Sequence, residues 1–140
     1  MAAPAFAPGG RWIAYVANDS GRREVYVRPF PEGDGRWLVS DGGGTQPMWS
    51  RDGRELFYRN DDNMMAVGVT LEPVFRASAP RLLFRGDYER PAVRAAYDVL
   101  ADGAHFVMLE SSAQSSSTRR VNIVVNWQEE LKRRVPAVER

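Results

Sequence analysis

Residues 45–58, TQPMWSRDGRELFY, decide the fold of this chain. They contain two short β-rich segments, 46–49 and 55–58, joined by the turn at 50–53. An Asp-Gly pair between two apolar segments is a strong hairpin signal, because Gly accepts a positive φ and Asp bonds its own nearby backbone. The stretch therefore predicts an antiparallel β-hairpin.

The same pattern occurs three times along the sequence. Its turn glycines, Gly10, Gly53 and Gly103, are separated by 43 and then 50 residues. A period of about 40–50 residues with short strands in each repeat is typical of β-propeller blades. The sequence thus predicts an all-β propeller fragment of three four-stranded blades, the last lacking its outermost strand. The predicted blades span residues 4–41, 45–86 and 95–126.

A helix is predicted where the last strand of the third blade is missing. Trp127, Leu131 and Val135 fall on one helical stripe, and Pro136 follows them. This spacing predicts a short amphipathic helix over residues 127–135 that packs on the sheet.

Two segments carry a resemblance to a known family. FAPGGRWIAYVANDSGRREVYVRPFP (6–31) and QPMWSRDGRELFYR (46–59) resemble the WD40-like (PD40) repeats of TolB-type six-bladed β-propellers. The resemblance covers nearly the whole chain. It implies the C-terminal half of the propeller that follows the kinase domain in some bacterial serine/threonine kinases, and it implies little about activity.

Three blades of about 60° each turn through half a circle, which leaves an apolar blade face at each end. A two-fold dimer would close this arc into a six-bladed ring. The sequence therefore predicts a homodimer of two three-blade halves.

Composition limits the choice of partners and compartment. The net charge is +1, so the sequence predicts neither a nucleic-acid nor a membrane partner. All basic residues except Lys132 are arginines, which we interpret as a GC-rich bacterial coding bias. Cysteine is absent, which excludes disulfides and cysteine nucleophiles. The first residues lack the charged and apolar regions of a signal peptide, so we expect a cytoplasmic protein.

The predicted channel supplies the candidate ligand-binding residues. The innermost strands of propeller blades line the central channel, and the loops before them reach its mouth. The candidates are Thr45, Gln46, Tyr97, Asp98 and Arg90. Asp98 and its symmetry mate are also the candidate ligands for a divalent metal ion; the alternative for Asp98 is a hydrogen bond inside the blade. No other cofactor is predicted.

The remaining candidate site residues also have structural interpretations. His105 is the only histidine, and with Asp98 and Glu89 it forms the candidate catalytic set. The alternative for His105 is a position on a blade surface. Gly42–Gly44 lack the Lys and the following helix of a phosphate loop, and we interpret them as an inter-blade connection. Aspartates beside Gly or Ser, such as Asp52 and Asp102, are expected to stabilise turns.

Two functions from different classes follow. The first is a non-catalytic propeller module that binds a protein, a peptide or another ligand. The alternative is a metal-assisted hydrolase of esters or phosphoesters, with its site in the central channel of the dimer.

Overall fold

Three antiparallel sheets make up the part of the chain that the structure, a computed structural model, describes: residues 2–91, 94–110 and 121–124. These residues contain strands and no helix, and none of their elements has the length and apolarity of a membrane-spanning helix. The all-β prediction is therefore confirmed. The predicted helix at 127–135 lies outside the described residues.

The first sheet is a four-stranded antiparallel meander in chain order. Its strands are β1 (Ala2–Phe6), β2 (Trp12–Ala17), β3 (Glu24–Pro29) and β4 (Trp37–Leu38). The central strands β2 and β3 alternate Val, Tyr and Ala side chains that fit a sheet buried on both faces. Gly10 has a φ of 70° at the turn after β1, and its amide bonds the Ala7 carbonyl.

The second sheet has one strand more than its sequence indicated. Its strands are β5 (Thr45–Trp49), β6 (Glu55–Asn60), β7 (Asn63–Thr70), β8 (Arg76–Ala77) and β9 (Arg81–Arg85). The long strand β7 pairs with β9 near its start and with the two-residue β8 near its end. The sequence did not indicate β8, because two residues are too few to show an alternating pattern.

The third sheet has three strands in the described residues. They are β10 (Tyr97–Val99), β11 (Phe106–Leu109) and β12 (Val121–Val124). Just before β10, the amide of Ala96 donates to the side chain of Gln46 in the second sheet.

The second sheet packs against both of its neighbours. Leu56 and Tyr58 of β6 belong to the apolar core shared with the first sheet, whereas Phe57 belongs to the core shared with the third. This alternation follows from the two-residue period of a strand. Ring contacts, such as that of Phe57 with Phe106, fill the second interface. Face-to-face packing of successive sheets is the arrangement of propeller blades, so we call the sheets blades one, two and three.

Candidate functional site

A pocket of about 300 Å³ opens where several connecting segments of the blades meet. The end of the β2–β3 connection, the link between the first two blades, the β6–β7 turn and the link to the third blade all contribute to it. Its lining residues are Arg22, Arg23, Gly42, Gly43, Gly44, Thr45, Gln46, Arg59, Asn60, Asp61, Arg90 and Pro91. We call this the arginine pocket, since four of these residues are arginines.

The arginine pocket includes three of the five predicted ligand-binding residues. Thr45, Gln46 and Arg90 lie in its lining, whereas Tyr97 and Asp98 do not. The Thr45 hydroxyl donates to the carbonyl of Arg59 at 3.4 Å.

Gln46 connects blades two and three through every polar atom of its side chain. Its amide nitrogen donates to the Pro91 carbonyl at 3.1 Å, and its amide oxygen accepts from the Ala96 amide at 3.2 Å. The Tyr97 hydroxyl donates to the Gln46 carbonyl at 2.6 Å. Burial raises the pKa of Tyr97, so this hydroxyl stays protonated as the donor. Gln46 and Tyr97 thus have a structural role that holds the pocket wall in place.

The backbone at Gln46 is strained. Its φ is 54°, in the left-handed region that non-glycine residues rarely adopt, and it lies where the β5–β6 register shifts. The three hydrogen bonds of Gln46 hold it in this conformation.

Arg59 is the most unusual side chain of the pocket. It is only 1% exposed, and among the described residues no carboxylate lies within ion-pair distance of it. Its Nη2 donates to the Asp61 carbonyl at 2.9 Å, and its guanidinium lies 5.5 Å from the ring centre of Tyr88. Its Nε finds no acceptor among the described residues. Burial, followed by the nearby charge of Arg90, lowers the pKa of Arg59.

The other arginines of the pocket differ in their pairing. Arg22 pairs with the buried carboxylate of Glu24 at 2.7 Å, and Arg90 pairs with Asp62 at 2.9 Å. Arg23 is exposed and has no ion-pair partner within the described ranges. Positive charge therefore exceeds negative charge around the pocket.

Gly43 and Gly44 of the inter-blade connection are required by packing, since a Cβ at Gly44 would lie 2.7 Å from the Cβ of Ser40. The Gly43 amide donates to Glu24 at 3.1 Å, and the Gly44 amide donates to the Arg23 carbonyl at 2.9 Å. Gly43 has a φ of 119°, and a Cβ there would lie 3.2 Å from Asn60 Oδ1. These two amides are used inside the protein and do not face a ligand, in agreement with a connecting role.

The candidate catalytic residues lie outside the arginine pocket. Asp98 is exposed, and its Oδ1 accepts from the amide of the next residue, Val99, at 2.8 Å. His105 precedes β11 and its Nδ1 bonds Asp102. Glu89 donates its backbone amide to the Leu109 carbonyl. No set of three carboxylate or imidazole side chains in residues 2–91, 94–110 and 121–124 is arranged to hold a metal ion.

The turn aspartates act as the sequence predicts. Asp52 accepts from the Ser50 hydroxyl at 2.7 Å and from the Arg54 amide at 3.0 Å, and these bonds lower its pKa. Asp102 accepts from the Ala104 and His105 amides, and the Ala104 bond is the main reason that its pKa is also lowered. Both carboxylates close the turns of their hairpins.

Sequence reasoning missed Arg22, Arg23 and Arg59. A signal was present for Arg59, because strand alternation places it on the same face of β6 as the buried Phe57. A charged residue at an apolar position of a strand is informative. For Arg22 and Arg23, which lie in a polar connection, the sequence carries no comparable signal.

Comparison with known proteins adds information on the fold. No protein-family model matches the sequence, and no curated protein matches it. The solved structure of TolB from Acinetobacter baumannii is similar over 89% of this chain and 30% of its own, with 15% identity and a TM-score of 0.57. A TolB-type protein from Agrobacterium tumefaciens is similar over 88% of this chain and 44% of its own, with 15% identity and a TM-score of 0.61.

This chain therefore spans less than half the length of these two solved structures. At 15% identity the likeness concerns the fold alone. Together with the three face-to-face sheets, it shows that the chain has the fold of part of a TolB-type β-propeller.

Proposed function

We propose that the chain is a non-catalytic propeller module that binds a protein or peptide through the arginine pocket. The observation that carries this proposal is the convergence of residues from four separate connections on one pocket. Concave sites of this kind, with a few converging polar groups, are the usual places for ligands.

The chemistry of the lining supports binding over catalysis. Arginine stays protonated at neutral pH and does not exchange protons as an acid or base. It recognises ligands through fixed N–H donors instead. The one ionisable carboxylate in the lining, Asp61, is exposed and holds the Arg59 side chain through its backbone carbonyl.

A peptide array tests this proposal. Short peptides of positive, neutral and negative charge are screened for binding to the wild type and to a variant with Arg23→Ala and Arg90→Ala. A matched control is Arg76→Ala, because Arg76 is exposed on β8 and lies outside the pocket. We expect some peptides to bind the wild type and the control but not the double variant. Binding that is unchanged in the double variant, or no binding at all, would contradict the proposal.

The two-fold ring of six blades stays a prediction, and the burial of the outer face of blade one is a reason to test it. Ile13 and Tyr15 alternate with the core residues Ala14 and Val16, so they lie on the face turned away from blade two. Both are no more than 5% exposed in the single chain. Little apolar area on this part of the face is left for a second chain to cover.

The hydrolase alternative and the link to kinase propellers also stay predictions. The hydrolase depends on the pairing of Asp98 with its symmetry mate, and exposure of Asp98 is compatible with that pairing. The cytoplasmic location stays a prediction as well, and the genomic neighbourhood of the sequence tests the kinase link.

A further inference from the structure

We infer that the arginine pocket is an oxyanion subsite in which Arg59 binds a carboxylate of an acidic peptide. The inference rests on the proposed function and names the chemistry of its ligand. Its basis is a buried guanidinium that has too few partners.

The hydrogen bonds of Arg59 leave most of its binding capacity unused. A guanidinium carries five N–H donors, and only the bond from Nη2 to the Asp61 carbonyl is made among the described residues. Nε is fully buried without an acceptor. Buried polar groups are normally satisfied, and an exception calls for a missing partner. A carboxylate is the partner whose geometry matches the planar fork of arginine.

The electrostatics of the pocket favour the same ligand. A buried charge is usually paired, because removing it from water is costly. Burial lowers the pKa of Arg59 and the positively charged Arg90 lowers it further, while the more weakly acting carboxylate of Asp62 opposes them. An anion at this place would offset the repulsion from Arg90, since it would supply the missing opposite charge.

The neighbouring charges leave the place open for an anion. Glu24 is engaged by Arg22, and Asp62 is engaged by Arg90 and Arg85. Asp61 is the acidic residue of the lining, but it is exposed and opposes the ligand weakly through water. Arg23, also in the lining, adds a positive charge without an ion-pair partner in the described ranges.

The volume of the pocket suits a side chain and not a large ligand. About 300 Å³ lies at the low end of the range for small-molecule sites, and it accommodates a glutamate side chain with its adjoining backbone. Free phosphate offers the same oxyanion chemistry from another source. The experiment therefore includes both.

Calorimetric titration at low ionic strength tests the inference. The ligands are an oligoglutamate peptide, an oligoglutamine peptide of equal length and inorganic phosphate. The proteins are the wild type, Arg59→Gln, Arg23→Gln and the control Arg76→Gln. We expect the wild type and the control to bind oligoglutamate but not oligoglutamine. Arg59→Gln should weaken binding about ten- to a hundredfold, because a charge-assisted hydrogen-bonded pair is lost.

Arg23→Gln keeps the test valid if Arg59→Gln does not fold, since Arg23 is exposed and its replacement is tolerated. We expect it to weaken oligoglutamate binding about threefold and to reduce the salt dependence of binding. Phosphate binding that is lost in the Arg59 or Arg23 variant supports the oxyanion subsite with a small anion as its ligand.

Measurable binding of oligoglutamate and oligoglutamine with equal affinity, or unchanged affinity for oligoglutamate in both pocket variants, overturns the inference. This outcome differs from failure of the proposed function. Carboxylate-free peptides that bind the wild type and not the double pocket variant leave the binding module in place and reject only the oxyanion. A lack of binding by every peptide rejects the module, whereas binding of phosphate alone retains the subsite.

Discussion

Replacement of Gln46 tests how blades two and three are held together at the wall of the arginine pocket. The Gln46→Ala variant removes the acceptor of the Ala96 amide and the donor to the Pro91 carbonyl. An unsatisfied buried backbone group costs about 1–3 kcal/mol. Because the site at Pro91 is only partly buried, we expect the free energy of unfolding to fall by about 2–4 kcal/mol in total.

Gln46→Gly separates the loss of these hydrogen bonds from the strain of the backbone. The φ of 54° is unfavourable for Ala but not for Gly. We therefore expect Gln46→Gly to be more stable than Gln46→Ala by about 1 kcal/mol. Tyr97→Phe, which removes only the hydroxyl bonded to the Gln46 carbonyl, should cost about 1 kcal/mol.

Urea unfolding followed by tryptophan fluorescence provides the measurement. The control is Ser20→Ala, whose exposed hydroxyl should contribute less than about 0.5 kcal/mol. Gln46→Ala within about 0.5 kcal/mol of the wild type would refute the connecting role of Gln46. A Gln46→Gly variant less stable than Gln46→Ala would refute the claim that the backbone at Gln46 is strained.

Four further predictions concern the turns, the inter-blade connection, the alternative function and the ring. The pKa of Asp52 is lowered below 3.8 in the folded state, so its contribution to stability is present at neutral pH and is lost as the pH falls through the folded-state pKa. The difference in unfolding free energy between the wild type and Asp52→Asn should therefore shrink only below about pH 4. A pH-independent difference would contradict this prediction. Gly43→Ala should destabilise the protein by about 1–3 kcal/mol in urea unfolding, since its φ of 119° suits only glycine. The control Gly42→Ala should cost less, because Gly42 has a φ of 70°, in the left-handed region, and nothing lies within 4 Å of an added Cβ. For activated esters and phosphoesters we expect no turnover above background. Turnover that is sensitive to chelator and abolished by Asp98→Ala would instead support the hydrolase. If two chains close the ring, light scattering gives twice the mass of one chain at micromolar concentration, and a stable monomer rejects the ring.

Local patterns predict the blades but not the contacts between them. The hairpin at 45–58 could be read from the sequence, because Asp52 and Gly53 set the turn through bonds within four residues. The bond from Gln46 to Ala96 spans fifty positions, and no local pattern reports it. The positive φ of Gln46 depends on that bond, so no local sequence pattern predicts it either.

The arginine pocket could be predicted only in part, for the same reason. The sequence places Thr45, Gln46 and Arg90 at the central channel, because first strands line it and the loops before them reach its mouth. Arg59 projects from the end of the second strand of its blade, and only the three-dimensional structure shows that its Nε lacks an acceptor among the described residues. Residue type and strand alternation mark it as unusual, but they do not show which charges lie nearby.

The side-chain Nε–H resonance of Arg59 in the NMR spectrum tests the central claim most directly. On addition of oligoglutamate to the labelled protein, we predict a downfield shift of this resonance and shifts of the Asp61 and Arg23 amides, which lie around the same pocket. The resonances of the distant turn at Asp102 should not move. An unchanged Arg59 resonance with shifts confined to other surfaces would contradict the claim that this pocket binds an acidic partner.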